Sequence, residues 1–306
     1  MYTEELVSNS IGRQYWVYKD DLFYQQRIKN AGPYQKQNLL RLRELKPKAR
    51  TILDIGMNIG MNSIEYATWA ENVHGFEPTK QTYNMALKNI ALAQAQTDAD
   101  MVKPWHMVKT VNFNGKQGSS LEVTGNIQTY NIGLGNIPGQ YKILIKKNNA
   151  IRNQISNTSV LLHNRHKEDI ETQNIEVTTV DSMNFKDVDI IKIDTEGYEF
   201  PVVLGAEQTI LKYKPIVQVE IVEGQPERFG YNCQTIYDWF LERNFIITLS
   251  DGTNCGTKWA QYAKKTEEFP LSVVERFFIH KDLLNDPYVS TVAIKTTNTV
   301  PISKDQ

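Results

Sequence analysis

The sequence is poor in cysteine, with only Cys233 and Cys255 in 306 residues. Two isolated thiols cannot build a disulfide framework and lack the clustered spacing of a zinc site, so free thiols in a reducing, cytoplasmic setting are expected. Charge of one sign is also missing. The formal net charge is -1 and the pI about 6.5, so no global field would hold the chain on nucleic acid or on an anionic membrane. No stretch approaches the roughly 20 apolar residues of a membrane span, and the opening MYTEELVSNS has two acids and no apolar signal core. Internal repeats and low-complexity tracts are absent, and nothing specifies an oligomer.

A core is affordable, since 41% of residues are hydrophobic and 23% charged. Between Ile11 and Arg50, ten Lys or Arg face three Asp or Glu, which reads as a solvated helical face. Gly32-Pro33 breaks the chain before a helix over Tyr34 to Leu45, whose Leu39, Leu42 and Leu45 recur at helical spacing. Residues 1–47 are therefore expected to form an N-terminal helical extension, 48–290 the main domain and 291–306 a polar tail.

Within 48–290, strands and helices alternate. Strand Thr51 to Ile55 leads to a helix from Asn62 to Trp69, and strand Val73 to Phe76 to a helix from Gln81 to Ala93. Residues 96–125 read as an insertion or extended loop. Ile127 to Leu134 and Gln140 to Ile145 are expected to pair as a hairpin. Ile175 to Val180 precedes the apolar strand Val188 to Ile193, in which Lys192 stands out. Pro201 to Tyr213 and Gln234 to Arg243 are helices; Ile216 to Ile221, Phe245 to Leu249 and Arg276 to His280 are strands. This alternation predicts an α/β, Rossmann-like fold: a mostly parallel sheet with helices on both faces.

Asp54-Ile55-Gly56-Met57-Asn58-Ile59-Gly60 lies between a strand and a helix, at the carboxyl edge where such sheets bind ligands. Gly56 and Gly60 admit close backbone approach, and Asp54 can accept from an amino or hydroxyl group. Glu77, at the end of the next strand, is placed for both ribose hydroxyls of a nucleoside. A dinucleotide fingerprint would need glycine where Asn58 stands and a third glycine besides, so the pattern favours adenosylmethionine over NAD.

Three stretches make the resemblance specific: TILDIGMNIGMNSIEYA (Thr51 to Ala67), VHGFEPTKQTYNMALKNI (Val73 to Ile90), and VDIIKIDTEGYEFPVVLGA (Val188 to Ala206) with KPIVQVEI (Lys214 to Ile221). The sequence resembles the FkbM family of methyltransferases. That resemblance implies a seven-stranded methyltransferase sheet with its last strand antiparallel. It also implies methyl transfer from S-adenosylmethionine to an oxygen, often a hydroxyl of a sugar or natural product. By matching position, Asp54, Gly56, Asn58, Gly60 and Glu77 would line the donor pocket, and Gly133 and Leu134, ending the third core strand, would lie near the adenine.

Methyl transfer to a hydroxyl needs alignment and removal of a proton. Asp194, Glu196 and Glu199 follow the presumed fourth strand and Glu220 ends the next, so Asp194 and Glu220 would open onto one crevice if those strands are neighbours. Asp194 is the first choice as general base. Alternatively Asp194, Glu196 and Glu220 would bind Mg²⁺, which would orient and acidify the hydroxyl. Glu199 can equally just begin a helix. Tyr198 is expected to pack, and the five histidines are dispersed. The expected acceptor is a small hydroxylated molecule such as a sugar. No Asn/Asp-Pro-Pro-aromatic motif or Pro-Cys pair marks nucleic-acid methylation. A non-catalytic nucleotide-binding module and an NAD-dependent oxidoreductase are the alternatives.

Overall fold

The structure, a computed structural model, describes residues 3–30, 34–98, 111–112, 120–124, 126–146, 154–155, 170–259 and 273–294. It opens on an antiparallel hairpin, β1 (Glu4–Ser8) and β2 (Gln14–Tyr18), followed by helices α1 (Leu22–Asn30) and α2 (Lys36–Leu45). The N-terminal extension is thus only partly helical. Tyr15-Trp16-Val17-Tyr18 is rich in strand-forming residues, and Val7, Tyr15 and Val17 point inward at the two-residue period of a strand. Helix α2 buries Leu39, Leu42 and Leu45, as its spacing predicts.

The main domain begins with β3 (Ala49–Ile55), α3 (Met61–Tyr66), β4 (Ala70–Phe76) and α4 (Lys80–Asp98). Short strands β5 (Val111–Asn112), β6 (Ser120–Thr124), β7 (Ile127–Tyr130) and β8 (Gly133–Leu134) come next, then β9 (Gly139–Lys146), β10 (Gln154–Ile155) and β11 (Ile170–Thr178). The chain continues through β12 (Val188–Ile193), α5 (Glu199–Gly205), α6 (Glu207–Tyr213) and β13 (Ile216–Val222). It closes with α7 (Cys233–Glu242), β14 (Phe245–Thr248), β15 (Val273–His280) and α8 (Pro287–Ala293).

The large sheet has the order β14-β15-β13-β12-β3-β4-β7-β6-β5. Strands β7, β4, β3, β12 and β13 are parallel, whereas β15 runs antiparallel to β13 and to β14. This is the expected seven-stranded Rossmann-like sheet, widened at one edge by β6 and β5. Its two faces carry separate apolar layers. Leu53, Ile191 and Val217 pack with α5, α6 and α7, while Ile52, Ile190 and Ile216 pack with α2, α3, α4 and α8. Burying one such aliphatic side chain is worth about 1.5–3 kcal/mol, so both layers hold the middle strands flat under their carboxyl edge.

Four expectations need correcting. The hairpin predicted between Ile127 to Leu134 and Gln140 to Ile145 does not form: β9 pairs antiparallel with β11, and β8 joins β11 in a small second sheet of order β10-β9-β11-β8. Segment 96–125 is not simply a loop, because α4 reaches Asp98 and β6 pairs with β7; residues 99–110, 113–119 and 125 lie outside the described residues. The helix predicted over Pro201 to Tyr213 is two helices broken at Ala206. The tail starts later than expected, since α8 buries Val289 and Ala293, and buried Arg41 donates to the carbonyls of Val292 at 2.6 Å and Ala293 at 2.7 Å. Residues 295–306 lie outside the described residues. Among the described residues, no helix is long and apolar enough to cross a membrane.

Candidate functional site

At the carboxyl edge, β3 passes into a loop held by left-handed residues: Gly56 (φ 77°), Asn58 (φ 52°) and Gly60 (φ 83°). At Gly56 the requirement for glycine is absolute, because a Cβ there would sit 1.8 Å from the Asp194 carbonyl oxygen. The Gly56 and Met57 amides donate to the Phe76 carbonyl at 3.0 and 2.9 Å, which locks the loop to β4. Asn58 Oδ1 accepts from the Ile59 amide at 2.7 Å and stabilises its left-handed backbone.

Just beyond β4, the buried Glu77 carboxylate accepts from the Thr79 amide at 2.9 Å and from the Asn58 backbone. Burial dominates over these bonds and pushes its pKa up to about 7. Glu77, Gly56 and Asn58 share one cleft with Gly133 and Leu134 and with the acids Asp194, Glu196 and Glu220. The empty space is about 990 Å³ including the open mouth, at the upper end for a small-molecule site. Gly133 and Leu134 do not end the third core strand, which stops at Tyr130; they form β8 and reach the cleft from the small sheet.

Asp54 and Gly60 are not among the cleft residues. Gly60 caps α3, and a Cβ on it would meet Ala86 of α4 at 3.3 Å, so the position is also tightly packed. Asp54 is fully buried beneath the loop. Its Oδ2 accepts from Ser63 Oγ at 2.6 Å, and Lys192, its register partner across β3 and β12, places Nζ 3.3 Å from Oδ1. Lys192 Nζ also donates to the Gly56 carbonyl at 2.8 Å and lies 3.4 Å from Asp194 Oδ2. Burial opposes its charge, yet the Asp194 and Asp54 charges hold its pKa above the ordinary lysine value.

Strands β12 and β13 are neighbours, so Asp194 and Glu220 do open onto one crevice. A carboxylate oxygen from each of Asp194, Glu196 and Glu220 lies within 4.8 Å of the others. Burial, then the Asp194 charge, raises Glu220 well above the usual carboxylate range. A fourth acid was not foreseen. Glu275 on β15 is the cross-strand partner of Glu220, and burial followed by the Asp194 charge pushes it up to about 7. Tyr34, from the N-terminal extension, also lines the cleft, its hydroxyl held above the ordinary phenol value by burial and by the Asp194 and Glu220 charges.

Glu199 is a structural acid. It begins α5, and its Oε1 accepts from the Thr195 amide (3.1 Å), Thr195 Oγ1 (3.2 Å) and the Gly197 amide (2.9 Å), fixing the loop in which Glu196 (φ 56°) and Gly197 (φ 104°) are left-handed. Tyr198 packs edge-on against Phe229 at 5.1 Å, as expected, though it also borders the cleft. Both cysteines are buried free thiols. His74 is half-buried beside Phe185 and Tyr130 and does not line the cleft, with its pKa lowered to about 4 by desolvation; His106, His163 and His166 lie outside the described residues.

The methyltransferase FkbM domain model matches residues 54–247, more than half of the chain. The chain belongs to the FkbM methyltransferase family. Membership implies use of adenosylmethionine, and the matched span contains the glycine loop, Glu77 and the three clustered acids. A search of curated proteins gave no match. Among solved structures, the chain is similar to an FkbM methyltransferase from Methylobacillus flagellatus KT, with 14% identity, a TM-score of 0.43, and coverage of 75% of this chain and 43% of that one. The chain therefore spans less than half the length of that protein. It is also similar to precorrin-6y C5,15-methyltransferase from Geobacter metallireducens GS-15 (9% identity, TM-score 0.37, covering 82% and 90%) and an rRNA methylase from Streptococcus thermophilus (8%, 0.36, covering 82% and 98%).

Proposed function

We propose that this FkbM chain methylates a hydroxyl of a small molecule, of the sugar or polyhydroxylated class, using S-adenosylmethionine as donor. When bound, the donor supplies an electrophilic methyl group on a sulfonium. The residues present suit it: Glu77 offers a buried carboxylate for ribose hydroxyls, and Phe76, Ile132, Leu134 and Ile143 offer an apolar wall for a flat base.

The observation that carries the acceptor side is the meeting of Asp194, Glu196 and Glu220 within 4.8 Å in the same cleft. Of these acids Asp194 directly follows the end of β12 and sits beside Lys192, and it is the one we assign to take the proton of the acceptor hydroxyl. Lys192, 3.4 Å from Asp194, fixes that carboxylate and offsets the surrounding negative charge. An acidic wall of this kind repels phosphorylated or carboxylated acceptors, which argues against nucleic acid as the partner. A second reading is favoured by the same three oxygens: they would hold Mg²⁺, which would acidify the hydroxyl in place of a base.

The test is transfer of labelled methyl groups from adenosylmethionine to a panel of sugars and small polyols, with and without chelator. Label in an O-methyl ether is expected, unaffected by chelator. Loss of transfer on chelation and recovery with Mg²⁺ would replace the base by the cation. No transfer to any hydroxyl, with transfer instead to an amine or a base nitrogen, would overturn the reading.

A further inference from the structure

The proposed donor carries an ammonium at its amino-acid end. Beside the glycine loop, the Gly56 carbonyl already accepts from Lys192 Nζ at 2.8 Å, and Asp54, paired with Lys192 at 3.3 Å, is fully buried and does not line the cleft. Another oxygen is offered from α3. Asn62, in its first turn, lines the cleft and is only 5% exposed.

The orientation of the Asn62 amide is set from a distance. Glu275 accepts from Gln218 Nε2 at 2.8 Å and from Gln35 Nε2 at 3.1 Å. Once ionised, the Glu275 carboxylate can only accept, so it draws the Gln35 amino group toward itself and turns the Gln35 carbonyl toward Asn62. Asn62 Nδ2 then donates to Gln35 Oε1 at 2.9 Å, leaving Asn62 Oδ1 buried with no hydrogen-bond partner. A buried orphan acceptor in a native protein calls for an explanation, and a ligand donor supplies one. The cleft suits a cation: Asp194, Glu196 and Glu220 lie on its wall, and Lys192 is the only basic side chain among its described lining residues.

We propose that Asn62 Oδ1 binds the ammonium group of the methyl donor, with Gln35 and Glu275 as positioning residues. This rests on the adenosylmethionine reading above. The test uses the full chain and calorimetry with two probes, adenosylhomocysteine and its desamino analogue, which keeps the carboxylate. The wild-type protein is expected to favour adenosylhomocysteine by about tenfold or more, as for a hydrogen bond to a charged group. In Asn62→Leu, adenosylhomocysteine should weaken to the level of the analogue, while the analogue moves by less than about twofold and so reports a folded site. Gln35→Met, which releases the amide without touching Asn62, should lose several-fold of that preference and covers the case in which Asn62→Leu does not fold.

Equal wild-type affinities for the two probes would overturn the proposal. So would an Asn62→Leu variant that weakens both alike, or that leaves adenosylhomocysteine unchanged. A folded wild-type protein that binds neither probe would instead overturn the adenosylmethionine reading, and this proposal with it.

Discussion

The two ends of the cleft are both acidic, but their charges are managed in opposite ways. At the donor end a single buried carboxylate, Glu77, is bonded to the backbone of Thr79 and Asn58. At the proposed acceptor end Asp194, Glu196 and Glu220 meet within 4.8 Å, and one ammonium, Lys192, lies 3.4 Å from Asp194 and 3.3 Å from Asp54 beneath the floor. A lone carboxylate with a pKa near 7 is ready for neutral hydroxyl donors. A crowded set in which burial and a neighbouring charge raise one acid well above its usual range is what the proposed proton transfer would use.

Removing the proton acceptor gives the largest expected effect. Asp194→Asn should lower kcat for methyl transfer by about 10²–10⁴-fold, while adenosylhomocysteine affinity changes far less. Equal losses in both would make Asp194 a binding residue and erase the contrast between the ends.

Next comes the shared cation. Lys192→Met leaves Asp54 buried without its charge partner and should cost about 3–5 kcal/mol in denaturant unfolding. Because Lys192 also holds the Gly56 carbonyl, donor affinity should fall with it. A variant as stable as the wild type would show that the Lys192–Asp54 pair adds nothing to stability.

The lone carboxylate sharpens the comparison through pH. Glu77 has a folded pKa of about 7, above its unfolded value near 4.5, so the folded state binds the extra proton between those values. Stability contributed this way is present below the unfolded pKa and is lost as pH rises to about 7. The loss is on the order of 3 kcal/mol. Glu275, also near 7, adds a loss of the same sign. Unfolding measured from pH 4.5 to 7.5 should show this decline, and Glu77→Gln should reduce it by about half, leaving the Glu275 part. A profile that rises over that window would contradict the burial argument.

The smallest effect separates the two acceptor-end readings. Treating the active protein with a chelator should alter the methyl-transfer rate by less than about twofold if Asp194 is the base.

Much of this arrangement was legible in the sequence, because it depends on local pattern. The glycine loop, Glu77, and the runs that became β3, β4, β12 and β13 each declare themselves within about ten residues by periodicity and turn residues. Strand partners do not. The run Gln140 to Ile145 was readable as a strand, but nothing local says that it pairs with Ile170–Thr178 instead of its predecessor. Glu275 escaped notice for the same reason, since only the β13–β15 register sets it opposite Glu220.

Lys192 carries a local signal of its own. It stands two residues before Asp194, hence on the same face of β12, and a lysine inside an otherwise buried strand must find acids. Its pairing with Asp54, however, is a cross-strand fact, and Asp54 lies buried beneath the loop and does not line the cleft. The N-terminal hairpin was likewise signalled by alternation in Gln14–Tyr18, masked by the polar residues around it.

The central claim is that Glu77 grips the ribose of a donor seated on the Gly56–Gly60 loop. Titration of adenosylhomocysteine into the folded protein and into Glu77→Gln tests it most directly. The account predicts saturable binding to the wild type and a loss of about 10- to 100-fold in the variant; no binding to a folded wild type, or equal affinity in both, would contradict it.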